Sequence, residues 1–259
     1  MSVFHFKQFD VAQDRCAMKV GTDGVLLGAM VDPSGCHRVL DIGAGTGLIA
    51  LMTAQKIEQS NARNIEKEAA GHDYHIDAVE IDPDAARQAS ENFEASPWSE
   101  HLTAINASLL DFMNERDAHT GNQTESERYD LMVSNPPFYN ATLKPEDEAR
   151  AVARHKDALP LCQIMQCAKQ WLTDDGRLAL IYPTAYDQEV MTEAVKAGLS
   201  PVSITDVVTR LGKPCKRKVC IIGRSAVVPE RKTLAIRTSE NEYTHEYLKL
   251  TQDFYLSIN

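Results

Sequence analysis

The chain has 259 residues, 27 of them Lys or Arg and 37 Asp or Glu, for a formal net charge of -10. That length accommodates one α/β domain with a substantial core and requires no second domain. The acidic balance excludes a protein that coats nucleic acid indiscriminately, while leaving room for a local basic face. No stretch approaches the ~20 apolar residues of a membrane helix. The six cysteines, at 16, 36, 162, 167, 215 and 220, show no paired C-x-x-C spacing and follow no signal peptide. Reduced thiols and a cytoplasmic location are therefore expected. The eight histidines are scattered, and His72-x2-His75 has no cysteine or acid at ligand spacing, so no metal site is expected.

In chain order, Val39-Leu40-Asp41-Ile42 is a short apolar strand that runs into glycines at 43, 45 and 47. An Ala/Leu/Ile-rich helix, Gly47–Lys56, follows. Such glycines allow a tight turn and the close approach of a ligand to a helix start. A dinucleotide-binding turn places its third glycine three residues after the second; here that position is Leu48, which disfavours NAD. His75–Glu80 is a second strand ending in a carboxylate, the usual position of a ribose ligand. Asp82 before Pro83 is a helix N-cap for Pro83–Glu94. Leu102–Asn106 is a third strand and Tyr129–Ser134 a fourth. Leu161–Leu172 is a long helix, and Arg177–Tyr182 is a fifth strand after a turn at Asp174-Asp175-Gly176. Val202–Val208 and Lys218–Gly223 form a closing pair. Two polar insertions, Asn61–His72 and Asn114–Arg128, lack an apolar period and are expected to be mobile surface loops. The alternation predicts a doubly wound, mostly parallel sheet.

The fourth strand closes on Ser134-Asn135-Pro136-Pro137-Phe138. Asn135 offers a side-chain carbonyl, and Pro136 brings a carbonyl without a competing backbone donor. Each proline holds the residue before it extended. The result is a stiff ledge with two acceptors beside an aromatic face, suited to a planar group carrying an NH2. Alone, five such residues would read as a proline-rich turn; the glycine turn upstream reverses that weighting.

Asp41 to Gly47, Glu80 and Asn135 to Phe138, in this order and spacing, resemble a class I S-adenosylmethionine-dependent methyltransferase of the N-P-P-[FY] branch. Members of that branch methylate planar nitrogens, whether adenine amines, guanine amines or the glutamine amide. The N-terminal Phe6-Lys7-Gln8-Phe9, the stretch Asp14 to Gly24 and Leu26-Leu27-Gly28-Ala29 are similar to the bacterial valine-tRNA (adenine(37)-N(6))-methyltransferase family. The resemblance spans nearly the whole chain. It implies a Rossmann-like single domain whose mostly parallel seven-stranded sheet carries an antiparallel closing strand. Residues 1–30 are expected to cap the cofactor site and residues 31–259 to form the catalytic domain. S-adenosyl-L-methionine is the implied cofactor, held by Thr22, Asp41, Gly43, Gly45, Gly47, Glu80 and Asn135. The acidic position that often meets the cofactor adenine is replaced by Ser108, with Asp111 three residues on, and either is a candidate. Asn135, Pro136 and Phe138 are the implied catalytic residues, with Pro137 and Phe138 facing the target base.

From Val207 to Lys232 there are eight Lys/Arg against one Glu, a local net of +7 in an acidic protein. A charge run is usually a solvated flank, but this reversal of sign favours an RNA-phosphate surface. Lys213, Lys216, Arg217 and Lys218 are its candidate contacts, with Arg210 nearby. A tRNA is the expected partner and the monomer the expected form. Two other readings stay open: a glutamine amide or ribosomal RNA amine as acceptor, and a non-catalytic relative that only binds nucleotide or RNA.

Overall fold

Continuous apolar runs such as Val39-Leu40 and Leu131-Met132-Val133 suit strands covered on both faces, and they form the centre of the sheet. The computed structural model describes residues 2–16, 18–66, 73–120, 127–138 and 159–257. A small hairpin, β1 (Val3–His5) and β2 (Asp10–Ala12), precedes α1 (Thr22–Met30). Then come β3 (Arg38–Ile42), α2 (Leu48–Glu66), β4 (His75–Glu80), α3 (Pro83–Glu94), β5 (Leu102–Asn106), α4 (Leu109–Thr120) and β6 (Tyr129–Ser134). The chain continues with α5 (Leu161–Trp171), β7 (Leu172–Pro183), α6 (Asp187–Lys196), β8 (Ser200–Arg210), β9 (Arg217–Gly223), β10 (Glu230–Arg237) and α7 (His245–Thr251).

The main sheet runs β10-β8-β9-β7-β6-β3-β4-β5. All neighbours are parallel except β9, which is antiparallel to both β7 and β8. The antiparallel closing strand is thus present, and β10 adds an eighth strand beyond the expected seven. Helices cover both faces. Val25, Leu51, Phe93 and Tyr247 from α1, α2, α3 and α7 share one apolar cluster. Phe112, Ile164 and Val190 from α4, α5 and α6 share the other. Strand order reverses beside β3 and β6, so the crevice at their carboxyl ends is the expected place for a ligand.

Several sequence expectations need correction. Asn61–Glu66 is not loop but the end of α2, with Asn61 buried, and residues 114–120 belong to α4. Their polar sequences hide the continuation of both helices, and in α2 the buried position one turn after Ile57 is the polar Asn61. The remainder of both insertions, residues 67–72 and 121–126, lies outside the described residues, as does Ala17 in the N-terminal motif. The Asp174-Asp175-Gly176 turn is part of β7, where the pairing with β6 shifts register between Tyr129 and Leu131. Leu172 belongs to that strand and not to the preceding helix.

The first 30 residues share the main core. Phe6 and Phe9 stack at 4.7 Å between ring centres, and Phe9 meets Trp98 edge-on at 5.8 Å. The Lys7 N–H donates to the Phe254 carbonyl at 2.8 Å, and Phe6 bridges to Tyr255. Helix α1 is buried along Gly24–Ala29. Its Gly28 lies so close to α2 that a Cβ there would stand 2.6 Å from Met52 Sδ and 3.0 Å from Met52 Cβ. The Leu26-Leu27-Gly28 motif is thereby explained as a close helix crossing. Gly28→Val is expected to destabilise the protein by about 1–3 kcal/mol through overpacking, read from chemical denaturation curves.

Candidate active site

The site is built where β3 enters α2. Gly43, Gly45 and Gly47 all adopt positive φ, at 71°, 56° and 80°. Two of them need glycine for different reasons. At Gly47 a Cβ would run into the Phe93 ring, whereas at Gly45 it would meet nothing within 4 Å, so Gly45 leaves a cradle open to a ligand. Two carboxylates fix this turn from below. Glu80, at the tip of β4, accepts the Gly45 N–H through Oε2 at 2.8 Å and the Asp82 N–H through Oε1 at 2.9 Å. Asp41, fully buried in β3, accepts the Ala50 N–H at 3.1 Å in the first turn of α2. That is the positive end of the helix dipole. Its Oδ1 is buried without a partner. Burial pushes the Asp41 carboxyl up to about 7, against the lowering by the Ala50 bond and with the charge of Glu80 adding to the rise. Asp82 accepts the Asp84 and Ala85 N–H groups at 2.8 and 3.2 Å and is the helix cap its position beside Pro83 predicts.

The second wall comes from the neighbouring strand. Ser134 closes β6 in register with Ile42 of β3 and donates its hydroxyl to the Ile42 carbonyl at 2.7 Å. Asn135 to Phe138 leave from this fixed point. Pro136 is buried, while Asn135, Pro137 and Phe138 are half-buried. The ledge and the glycine turn open on the same cavity, of about 460 Å³. Its third side is the segment Met18–Gly24 leading into α1, and its fourth is formed by Tyr182, Pro183 and Arg217. The N-terminal wall is tied down by side chains. Asn92 of α3 accepts the Ala12 N–H at 2.9 Å and donates to the Ala12 and Thr46 carbonyls at 3.0 and 2.9 Å. Gln13 accepts the Val20 N–H at 2.7 Å, and Arg15 pairs with Glu91 at 2.6 Å.

The structure thus brings together Thr22, Gly43, Gly45, Asn135, Pro136, Pro137, Phe138 and Arg217 around one cavity. Asp41, Gly47 and Glu80 support it from beneath. Ser108 and Asp111 are engaged with each other: the Ser108 hydroxyl donates to Asp111 at 2.6 Å and accepts the Asp111 N–H at 3.1 Å, capping α4. The basic run divides. Lys213 and Lys216 are exposed in the turn between β8 and β9, at the carboxyl edge of the sheet. Arg217 turns to the cavity and donates to Asp23 at 2.8 Å. Lys218 is the correction: it is buried and paired within the protein, 2.8 Å from Asp187 and 3.5 Å from Asp206. Alternation along β9 sends neighbouring residues to opposite faces, a signal the count of charges ignored. Sequence reasoning missed Tyr182, the Asp23–Arg217 pair and two exposed apolar residues, Ile81 (44%) and Leu110 (50%).

The raised carboxyl of Asp41 has a pH signature. Between the ordinary Asp value and about 7 the folded chain holds a proton that the unfolded chain has lost, so this group's contribution to stability falls as pH rises through that window. Asp41→Asn removes the titration. Its stability relative to the parent chain is expected to be more favourable at pH 7.5 than at pH 5, measured by denaturation at both values.

Comparison with known proteins places this geometry in a family. The family model described as "Methyltransferase small domain" matches residues 17–199. Curated relatives described as tRNA1(Val) (adenine(37)-N6)-methyltransferase include one from Trichodesmium erythraeum, 42% identical over 98% of this chain and 97% of its own. Those from Aeromonas hydrophila and Flavobacterium psychrophilum are each 40% identical, over 99% of this chain and 98% and 100% of theirs. Among solved structures, a predicted O-methyltransferase from Agrobacterium tumefaciens superposes with a TM-score of 0.60 at 18% identity, covering 90% of this chain and 96% of its own. The CcbJ methyltransferase of Streptomyces caelestis gives 0.50 at 12% identity over 80% and 97%. These two likenesses concern the fold. The chain belongs to the small-domain methyltransferase family, in the group whose curated, full-length relatives are tRNA1(Val) (adenine(37)-N6)-methyltransferases.

Proposed function

We propose that this protein methylates the exocyclic N6 amine of adenine 37, beside the anticodon of a valine tRNA, with S-adenosyl-L-methionine as donor. The observation that carries the reading is that the Asn135–Phe138 ledge and the positive-φ glycine turn open on one cavity. The residues present suit the donor. Gly45 faces open space, Asp41 Oδ1 is buried without a partner, and the cavity of about 460 Å³ has room for it. Gly43, Gly45 and Thr22 would hold its amino-acid end, and Glu80 its ribose. The carboxylate oxygens of Glu80 each accept one backbone N–H and retain a lone pair for a hydroxyl. Ser108 or Asp111 would meet the cofactor adenine, with the exposed Ile81 and Leu110 at the same edge as its apolar cover. The segment up to Asp23 caps the donor, as the expected role of residues 1–30. When bound, the donor supplies an electrophilic methyl group.

The protein's own contribution is placement. Asn135 Oδ1 and the Pro136 carbonyl accept the two N–H bonds of the target amine, drawing its lone pair out of conjugation and towards the methyl. Positive charge developing on nitrogen then meets two preorganised acceptors. Phe138 provides the face on which the extruded base stacks. Lys213 and Lys216, exposed at the cavity's edge of the sheet, position the tRNA through phosphates, with Arg217 at the entrance. The monomer is the working form in this reading, acting in the cytoplasm where tRNA is available.

Transfer of labelled methyl to total tRNA, with ribosomes and release factors as competing acceptors, tests the substrate. Label in tRNA at the adenine beside the anticodon is expected; label in a release-factor glutamine would overturn the reading. Asn135→Ala is expected to keep donor affinity near normal and lower methyl transfer by about a hundredfold, because the lost acceptor acts in the transition state. Glu80→Ala, by releasing the Gly45 and Asp82 amides, should weaken donor binding as measured by calorimetry. Replacing both Lys213 and Lys216 with Ser should lower the slope of log tRNA affinity against log salt by about 1 to 2, with donor binding unchanged.

A further inference from the structure

Lys218 was expected on the RNA surface, yet its ammonium lies at the centre of a row that crosses three strands. Lys218 of β9 is in register with Tyr182 of β7 on one side and Asp206 of β8 on the other. The ammonium donates to Asp187 Oδ2 at 2.8 Å and makes a charge contact with Asp206 Oδ1 at 3.5 Å. The other oxygen of Asp187 accepts the Tyr182 hydroxyl at 2.9 Å. Tyr182 is almost wholly buried, lines the cavity, and has its ring centre 6.5 Å from that of Phe138. Tyr186, immediately before Asp187, lies closer, at 4.7 Å and tilted by 50°. Phe138 therefore rests on two tyrosines, and Asp187 binds the hydroxyl of one and follows the other directly in the chain.

Withdrawing a lysine from water beside two half-buried carboxylates costs desolvation, and an apolar replacement of similar volume is often as stable. Such a pair gives what apolar packing does not, which is a fixed position for the hydroxyl it binds. We propose that Lys218 and Asp187 are positioning residues for methyl transfer. They hold Tyr182 and Tyr186 as the backing of Phe138 and so set where the target base stacks relative to the Asn135–Pro136 acceptors. This inference rests on the assignment of Phe138 as the stacking face. It gives the buried lysine a role in the geometry of the base and none in contacting RNA.

The test is steady-state methylation of an unmodified valine tRNA transcript by the full chain, with Lys218→Met, Lys218→Arg and Tyr182→Phe. Misplacing a reacting group by an ångström or less costs up to a hundredfold in rate. Lys218→Met is expected to lower kcat about tenfold, with donor affinity unchanged and the salt slope of tRNA binding equal to that of the parent. Lys218→Arg should recover most of the loss. In a Phe138→Ala background, Lys218→Met should add nothing further, because the two act through one ring. Tyr182→Phe deletes only a hydroxyl; it should reduce kcat in the same direction and be equally silent behind Phe138→Ala, and it serves where Lys218→Met does not fold. Full additivity with Phe138→Ala, or wild-type kcat in Tyr182→Phe, overturns the positioning role. A flatter salt slope in Lys218→Met returns that lysine to the RNA surface. Wild-type methylation by Phe138→Ala alone shows instead that the stacking assignment has failed, and this proposal with it.

Discussion

The whole site depends on a glycine turn pinned through its backbone N–H groups to the strand and the carboxylates around it. Three glycines in the left-handed region between β3 and α2 have large conformational freedom when unfolded and no side chains to fix them when folded. The Val79 and Ala44 carbonyls hold Gly43 and Gly47, and a pair of carboxylates completes the hold, Glu80 on Gly45 and Asp41 on Ala50. The cost is the burial of Asp41, whose carboxyl is correspondingly harder to ionise. Asn92 extends the same logic sideways. By bonding both to the Thr46 carbonyl and to the backbone of Ala12, one amide makes the glycine turn and the N-terminal wall parts of a single object. Charge placed under a helix start, and not apolar packing alone, thus sets the shape of the cavity.

The features most readable from sequence were those with a strict local cause. Val39–Ile42 and His75–Glu80 read as strands because short apolar runs suit a sheet covered on both faces. Asp82-Pro83 read as a helix start because a side-chain acceptor followed by proline has few other uses, and the cap forms as expected. Less legible were elements whose reason lies elsewhere in the chain. Helix α1 carries two glycines, which argue against a helix until Leu48 and Met52 are seen pressed against them. The end of α2 is equally hard to read, because the position it buries after Ile57 is the polar Asn61.

The basic run from Val207 to Lys232 shows the limit most clearly. Its charge count treated neighbouring residues as equivalent, whereas a strand separates them. Lys216 stays in solvent, Arg217 turns to the cavity and Asp23, and Lys218 enters the sheet between two carboxylates. Arg224 is withdrawn as well, donating to the Lys169 and Leu172 carbonyls at 2.5 and 3.0 Å at the junction of α5 and β7. The local excess of positive charge is real, but about half of it is structural. The partners that neutralise it, Asp23, Asp187 and Asp206, are distant in sequence or on another strand, and no reading of the run by itself could have supplied them.

The hairpin that leads to the cavity wall is closed by residues almost a whole chain length away. Lys7 bonds through its backbone to Phe254 and through its ammonium to the Gln252 carbonyl at 2.6 Å, and Phe6 bridges to Tyr255. During synthesis these N-terminal residues are made first and find those partners last. A nascent chain can build β3 to β6, with the glycine turn and the ledge, while the hairpin still waits for its partners. Joining the ends of such a distant contact carries an entropic cost that rises only slowly with loop length. The hairpin before the cavity wall is therefore anchored by residues made long after it, while the wall itself is held by Asn92, Gln13 and Glu91.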